Sequence, residues 1–206
     1  MEEQFTHLKD NQRYLTYISG GLDSALVAYL AMLHFPNSKF LMVTGCHTHM
    51  DNYNETYAKA IVAYLKERFP EQIITHLIDY YDDREHARSE RTKRSDHKKS
   101  SYNIDGLLSG LTMNPINVPE LMDAARDRRR DQVHKMFNVT FNSVGKKITS
   151  HIPFINDDKK VIAALYEKYD IMDLAALTIS CESLVPPRPC ETCWWCREKN
   201  WAFNFF

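Results

Sequence analysis

An α/β fold, with an open and mostly parallel sheet flanked by helices and a small four-cysteine segment near its end, is what this sequence predicts. Three observations predict it. Between residues 14 and 79, short apolar runs alternate with stretches of helical spacing, the order of a parallel sheet wound by helices. A glycine pair, Gly20-Gly21, stands between the first such strand and the first helix. Four of the five cysteines crowd together near the C-terminus.

Composition bounds the reading. The chain has 206 residues, 44% hydrophobic and 26% charged, enough for one domain with its own core. A formal net charge of −1 gives no global field to recruit nucleic acid, which is not expected as a partner. No apolar run approaches the length that crosses a bilayer, so no membrane partner is expected. Met1-Glu2-Glu3-Gln4 lacks the apolar stretch of a signal peptide, and a cytoplasmic location is expected. In that compartment, cysteines argue for metal or reactive thiols rather than disulfides.

Residues 14–18 read as the first buried strand, and residues 25–33 are rich in helix formers. Gly20 and Gly21 can take backbone angles closed to other residues and let a ligand approach the main chain. The helix start offers unpaired N–H groups and a positive dipole end, which suit phosphate. Ile18, Ser19, Gly20, Gly21, Leu22, Asp23, Ser24 and Ala25 are therefore the expected phosphate-binding residues, with hydroxyl donors from Ser19 and Ser24. Asp23 would repel bare phosphate, so it is expected to hold a magnesium ion or to cap a backbone N–H. The lysine that a Walker A loop requires is absent.

Residues 39–44 read as a second strand and residues 45–52 as a loop on the rim where open α/β sheets bind ligands. His47 and His49 either touch a substrate there or are simply solvated, and Cys46 reads as an inert thiol. Residues 53–69 have helical spacing, and residues 71–79 read as a third strand. The polar stretch 82–101 is either a lid bringing cations to an anionic substrate or a solvated helix or loop. Residues 102–110 read as a fourth strand ending in a glycine turn, with 111–115 continuing as a rim loop. Residues 119–130 look helical, and Arg126, Arg128, Arg129 and Arg130 either hold a phosphate or nucleic acid backbone or solvate the helix end. Residues 147–154 are extended, Asp157 is expected to cap a helix through Tyr166, and residues 170–177 form a further short helix.

Cys181, Cys190, Cys193 and Cys196 follow the spacing C-x8-C-x2-C-x2-C. Four thiolates make a closed tetrahedral zinc site with no open position, hence a structural one. An iron–sulfur cluster or redox thiols are the rival uses. The chain therefore divides into a nucleotide-binding α/β domain at 1–178 and a zinc-binding segment at 179–206 packed on it.

Ser19-Gly20-Gly21-Leu22-Asp23-Ser24 resembles the pyrophosphate loop of the N-type ATP pyrophosphatases, the PP-loop superfamily. Those enzymes cleave ATP between the α- and β-phosphates and pass AMP to a substrate oxygen. Taken with the cysteines, the chain resembles the 7-cyano-7-deazaguanine synthases of queuosine biosynthesis. The likeness is also carried by His151-Ile152-Pro153-Phe154, by the helix bearing Lys159-Lys160, by Thr178-Ile179-Ser180-Cys181, and by the run from Cys190 to Arg197. It implies an adenine nucleotide α-hydrolase-like, Rossmann-like fold that uses ATP and Mg2+, with structural Zn2+ and with Asp23 and Ser24 as catalytic residues. The implied ligase activity converts 7-carboxy-7-deazaguanine and ammonia to the 7-cyano base through an adenylate and an amide. The family often forms homodimers. Gly45-Cys46-His47-Thr48-His49 only loosely echoes the family's Tyr-Gly-Gln-x-His-like loop, and its Pro-x-Arg-Asn motif is missing. Ser109 to Pro115 reads as a reshaped version of a Gly-x-x-x-x-Asp loop. These departures bear on the substrate rather than on ATP. Alternatives are another adenylating enzyme on this scaffold, such as an amide-forming or conjugating ligase or a tRNA-base thiolase. A non-enzymatic zinc module binding nucleic acid through Trp194, Trp195 and the arginines is the reading from a different class.

Overall fold

The computed structural model describes residues 3–47, 53–81, 95–121, 134–141, 145–181 and 189–203. Its strands are β1 (Arg13–Tyr17), β2 (Lys39–His47), β3 (Ile73–Tyr81), β4 (Gly106–Leu108), β5 (Phe137–Phe141) and β6 (Lys147–His151). Its helices are α1 (Leu22–His34), α2 (Tyr53–Arg68), α3 (95–101), α4 (Lys159–Lys168), α5 (Met172–Ala176) and α6 (Trp194–Phe203). One six-stranded sheet runs β3-β2-β1-β4-β6-β5. All neighbours are parallel except β5, which lies antiparallel on the β6 edge. The expected mostly parallel, Rossmann-like α/β sheet is therefore present.

From β1 the chain goes to one side through α1 into β2, and later returns to the other side as β4. That reversal opens a crevice at the carboxyl end of β1, where a doubly wound sheet binds its ligands. α1 is apolar almost all round and buried from Leu22 to Met32, as a core helix must be. It packs with α2, α4 and α5 against Ile18, Phe40 and Met42. The opposite face carries a smaller cluster of Leu15, Leu41, Val43 and Ile104. There α3 closes over the sheet, with the Tyr17 hydroxyl 2.9 Å from Ser95 Oγ and Lys98 paired with Asp79.

Several expectations need correction. β2 runs on through Cys46 to His47, because this stretch keeps pairing with β3 as far as Tyr81. β4 is only three residues long, since Tyr102 and Asn103 turn back onto α3 and Asn103 takes a positive φ of 52°. Asp158 rather than Asp157 caps α4, accepting from the N–H groups of Lys160 and Val161 at 2.9 and 3.4 Å. Strand β5 was not anticipated. Pro119–Leu121 is a 3-10 turn; the rest of the expected helix and its arginines lie outside the described residues, as do 82–94, His49 and the side chain of His47.

Candidate functional site

The glycine loop is held open largely by its own atoms. Gly20 has φ 85°, and a Cβ there would press Asn54 O at 3.1 Å and Tyr57 Cβ at 3.2 Å. Ser24 is the knot: its Oγ accepts from Ser19 N–H at 3.2 Å and donates to Gly21 O at 3.0 Å. Gly21 N–H donates to Ser19 Oγ at 3.3 Å. Gly110, at the end of β4, runs so close to α1 that a Cβ would sit 2.3 Å from Ser24 N. The rim loop after β4 thus forms one wall of the site.

Asp23 does not cap the helix. Its two carboxylate oxygens take the Lys159 ammonium at 2.6 and 2.7 Å, and Thr112 Oγ1 donates to it at 3.2 Å. Lys159 comes from α4, and Glu198, on α6, stands 3.7 Å from it on the other side. All three charged residues are buried, an arrangement tolerated only because the charges face one another. Tyr166 donates to Leu22 O at 2.9 Å behind them, and burial, with Asp23 nearby, pushes its phenol well above its ordinary range. Sequence reasoning placed Lys159 on a family-like helix but missed Thr112 and Glu198. Their signal was weak, since a threonine in a loop and a glutamate in a cysteine-bearing helix look ordinary.

The four cysteines meet as expected. Cys181, Cys190, Cys193 and Cys196 place their sulfurs all within 4.8 Å of one another, a group able to hold a metal. The N–H of Cys193 donates to Cys190 Sγ at 3.3 Å and that of Cys190 to Cys181 Sγ at 3.4 Å. Such bonds favour thiolate; with the Cys193 N–H as the main cause, the Cys190 thiol is drawn down to about 6. Burial pushes the Cys196 thiol up. The fifth cysteine, Cys46, is buried at the end of β2, and burial raises its thiol to about 11, which fits an inert side chain.

The two ends of the sequence share one cavity of about 290 Å³. Ser19, Gly21 and Asp23 line it from the loop, Lys159 from α4, and Cys181, Trp195 and Glu198 from the cysteine segment. Ile179 N–H donates to Gly20 O at 2.9 Å, stitching the approach to Cys181 onto the glycine turn. Among the described residues no helix is long and apolar enough to cross a membrane.

Comparison with known proteins agrees with this geometry at a coarse level. The NAD synthase family model matches residues 4–103, the part holding the loop and the first three strands. A solved structure of the U34-tRNA thiolase NcsA from Methanococcus maripaludis, with its 4Fe-4S cluster, matches with a TM-score of 0.52 at 15% identity. The match covers 94% of this chain but 66% of that one, so this chain spans just under two thirds of that protein's length. A search of curated proteins found no match. The family match and the shared fold support the PP-loop superfamily of ATP-using enzymes, without singling out one activity within it.

Proposed function

We propose that this chain adenylates 7-carboxy-7-deazaguanine and, with ammonia, converts it to 7-cyano-7-deazaguanine. The observation that carries the reading is the shared cavity: a phosphate-type loop and the cysteine-bearing segment, through Cys181, Trp195 and Glu198, line one space from opposite ends of the sequence. Of the motifs that resemble the nitrile synthases, the glycine loop, Lys159, Ile179 to Cys181 and Trp195 meet there, while His151 to Phe154 do not line it. In this reading the substrate carboxylate attacks the α-phosphorus of ATP, pyrophosphate leaves, and ammonia displaces AMP to give the amide. A second adenylation, on the amide oxygen, lets that oxygen depart with AMP and leaves the nitrile.

The protein's part is orientation and charge neutralisation. The N–H groups at the start of α1 suit the phosphates, and Ser19 offers a hydroxyl. Lys159 lies between Asp23 and Glu198 and orients their carboxylates beside the phosphate position. Asp23 and Glu198 supply carboxylate oxygens suited to Mg2+, which would screen the phosphates when bound.

Zinc is the metal we propose for the cysteines. With Zn–S bonds of about 2.3 Å, tetrahedral ligands lie about 3.8 Å apart. Sulfurs all within 4.8 Å fit that single ion. A 4Fe-4S cluster binds each thiolate to a different iron and spreads the sulfurs more widely. A tRNA-base thiolase is the second reading, favoured by the likeness to a thiolase fold. Against it stand the close sulfurs and the buried, unreactive Cys46.

One experiment tests both. The protein is incubated with ATP, magnesium, ammonium and 7-carboxy-7-deazaguanine, or with ATP, sulfide and tRNA, and products are read by mass spectrometry. The nitrile with AMP is the expected result. Thiolated tRNA would establish the second reading, and AMP release with neither base would retain ATP use but overturn both acceptors.

A further inference from the structure

Away from the phosphate loop, a second cavity of about 200 Å³ opens beside the start of β1, β4 and β6. Lys147, Thr149 and His151 line it, and strand alternation puts all three on one face of β6. Register sets Thr149 beside Gly106 and His151 beside Leu108, a residue of the main apolar core. The stripe runs inward from exposed Lys147 through half-buried Thr149 to buried His151, so polar groups lead from solvent to the edge of the core. Gly106 contributes to the opening, since a Cβ there would meet the Tyr14 ring at 2.7 Å.

His151 is the focus. It is 4% exposed, and among the described residues nothing hydrogen-bonds its ring; its neighbour is the edge-on ring of Tyr14, 6.2 Å away. Its ring lines the cavity, where a ligand can accept its N–H. His7, Lys9 and Lys147 stand around the same cavity, and neither lysine has a carboxylate partner among the described residues. The one acid, Asp105, is already engaged by Arg13 N–H at 2.8 Å and by the Lys146 ammonium at 2.7 Å. The Tyr14 hydroxyl is spent on the backbone of Lys9. What remains is a set of donors and positive charge with no acceptor.

We propose that this cavity is a second anion site, separate from the nucleotide loop, taking a phosphate-sized oxyanion, either free or at the end of a small sugar phosphate. Lys9 and Lys147 supply charge, and Thr149 and His151 supply directed hydrogen bonds. Burial, with His7 close by, holds the empty-site imidazole down to about 4, so it meets the anion neutral. A dianion beside it favours the protonated ring and raises that value.

The test reads the site directly. The imidazole proton resonance that vanishes in His151→Gln is followed by NMR while inorganic phosphate, or ribose 5-phosphate, is titrated at constant ionic strength. A saturable shift is expected, with binding roughly ten-fold weaker in the Lys9→Ala/Lys147→Ala variant, about 1.4 kcal/mol. The tighter probe identifies the source of the phosphate group. No saturable shift with either probe, or an undiminished one in the double variant, overturns the proposal. Phosphate bound at the nucleotide loop does not interfere, because the signal is local to His151.

Discussion

The glycine loop and the cysteine segment face each other across one cavity, yet they are built in opposite ways. The loop is local. Ser19, Gly21 and Ser24 bond one another over at most five positions in sequence, and a buried 13-residue helix follows directly. The cysteine segment is tied at long range: Trp194 Nε1 donates to Leu121 O at 3.0 Å, Arg197 to Glu120 O at 2.6 Å and Lys199 to Thr178 O at 3.1 Å. Its own apolar cluster is small, Ile179 with Cys181 and Cys196. One region therefore draws its order from hydrophobic burial, and the other from long-range hydrogen bonds around four thiols able to hold a metal, so the two should fail under different insults.

The sharpest way to break that contrast is Cys193→Ser. Metal binding can supply on the order of 10 kcal/mol to a short segment, so loss of one ligand should cost metal and soluble fold together. Elemental analysis alongside thermal denaturation checks this, and a stable, metal-replete variant would contradict the four-ligand centre. Asp23→Ala should act on the other side alone. It removes the carboxylate that holds Lys159 at 2.6 and 2.7 Å, with Glu198 at 3.7 Å, a loss of about 3 kcal/mol for a buried pair. ATP turnover should disappear while metal content stays at the wild-type level. Normal turnover in that variant would remove the loop from the chemistry.

The same contrast explains what could be read in advance. The loop, the parallel sheet and the four ligands were legible because each is a local pattern: a glycine pair after a strand, apolar runs alternating with helical spacing, cysteines at fixed intervals. Glu198 and Thr112 were not, because nothing beside them in sequence says that α6 and the loop after β4 converge on Asp23. Strand β5 did leave a signal, Phe137, Val139 and Phe141 at alternate positions, masked by its brevity. The cap of α4 was displaced by one residue because Asp157 and Asp158 are equally good in sequence. Asp157 instead accepts from Gln4 Nε2 at 3.1 Å.

A region that lines neither the loop nor the cysteine centre serves as a control. His151 is neutral and buried in the native state, with burial holding it down to about 4 against an ordinary 6.5. Between those values the unfolded chain binds the proton and the native chain does not. Stability should therefore fall as pH drops from about 6.5 to 4, by about 3 kcal/mol from this group. In phosphate-free buffer, His151→Gln should flatten that limb of a denaturation series, leaving metal content and ATP binding alone. An unchanged acid limb would place the pH sensitivity elsewhere.

Glu198→Gln probes the seam between the two regions and should have the smallest effect on stability. Lys159 keeps Asp23 at 2.6 Å when the charge on Glu198 is removed, so the buried cation stays paired and the loss should be about 1 kcal/mol. Its effect on nucleotide binding should be of the opposite sign. Asp23, Glu198 and Lys159 together carry one net negative charge, set in a cavity proposed to receive phosphates. At the dielectric of such a site, one carboxylate opposes an approaching phosphate by about 1 kcal/mol or more unless a divalent cation lies between them. Calorimetry without magnesium should then show the variant binding ATP more tightly than the wild type, and magnesium should improve its binding less. If magnesium helps both equally, Glu198 is only a structural partner for Lys159, and the cysteine-bearing helix does not reach the nucleotide through its charge.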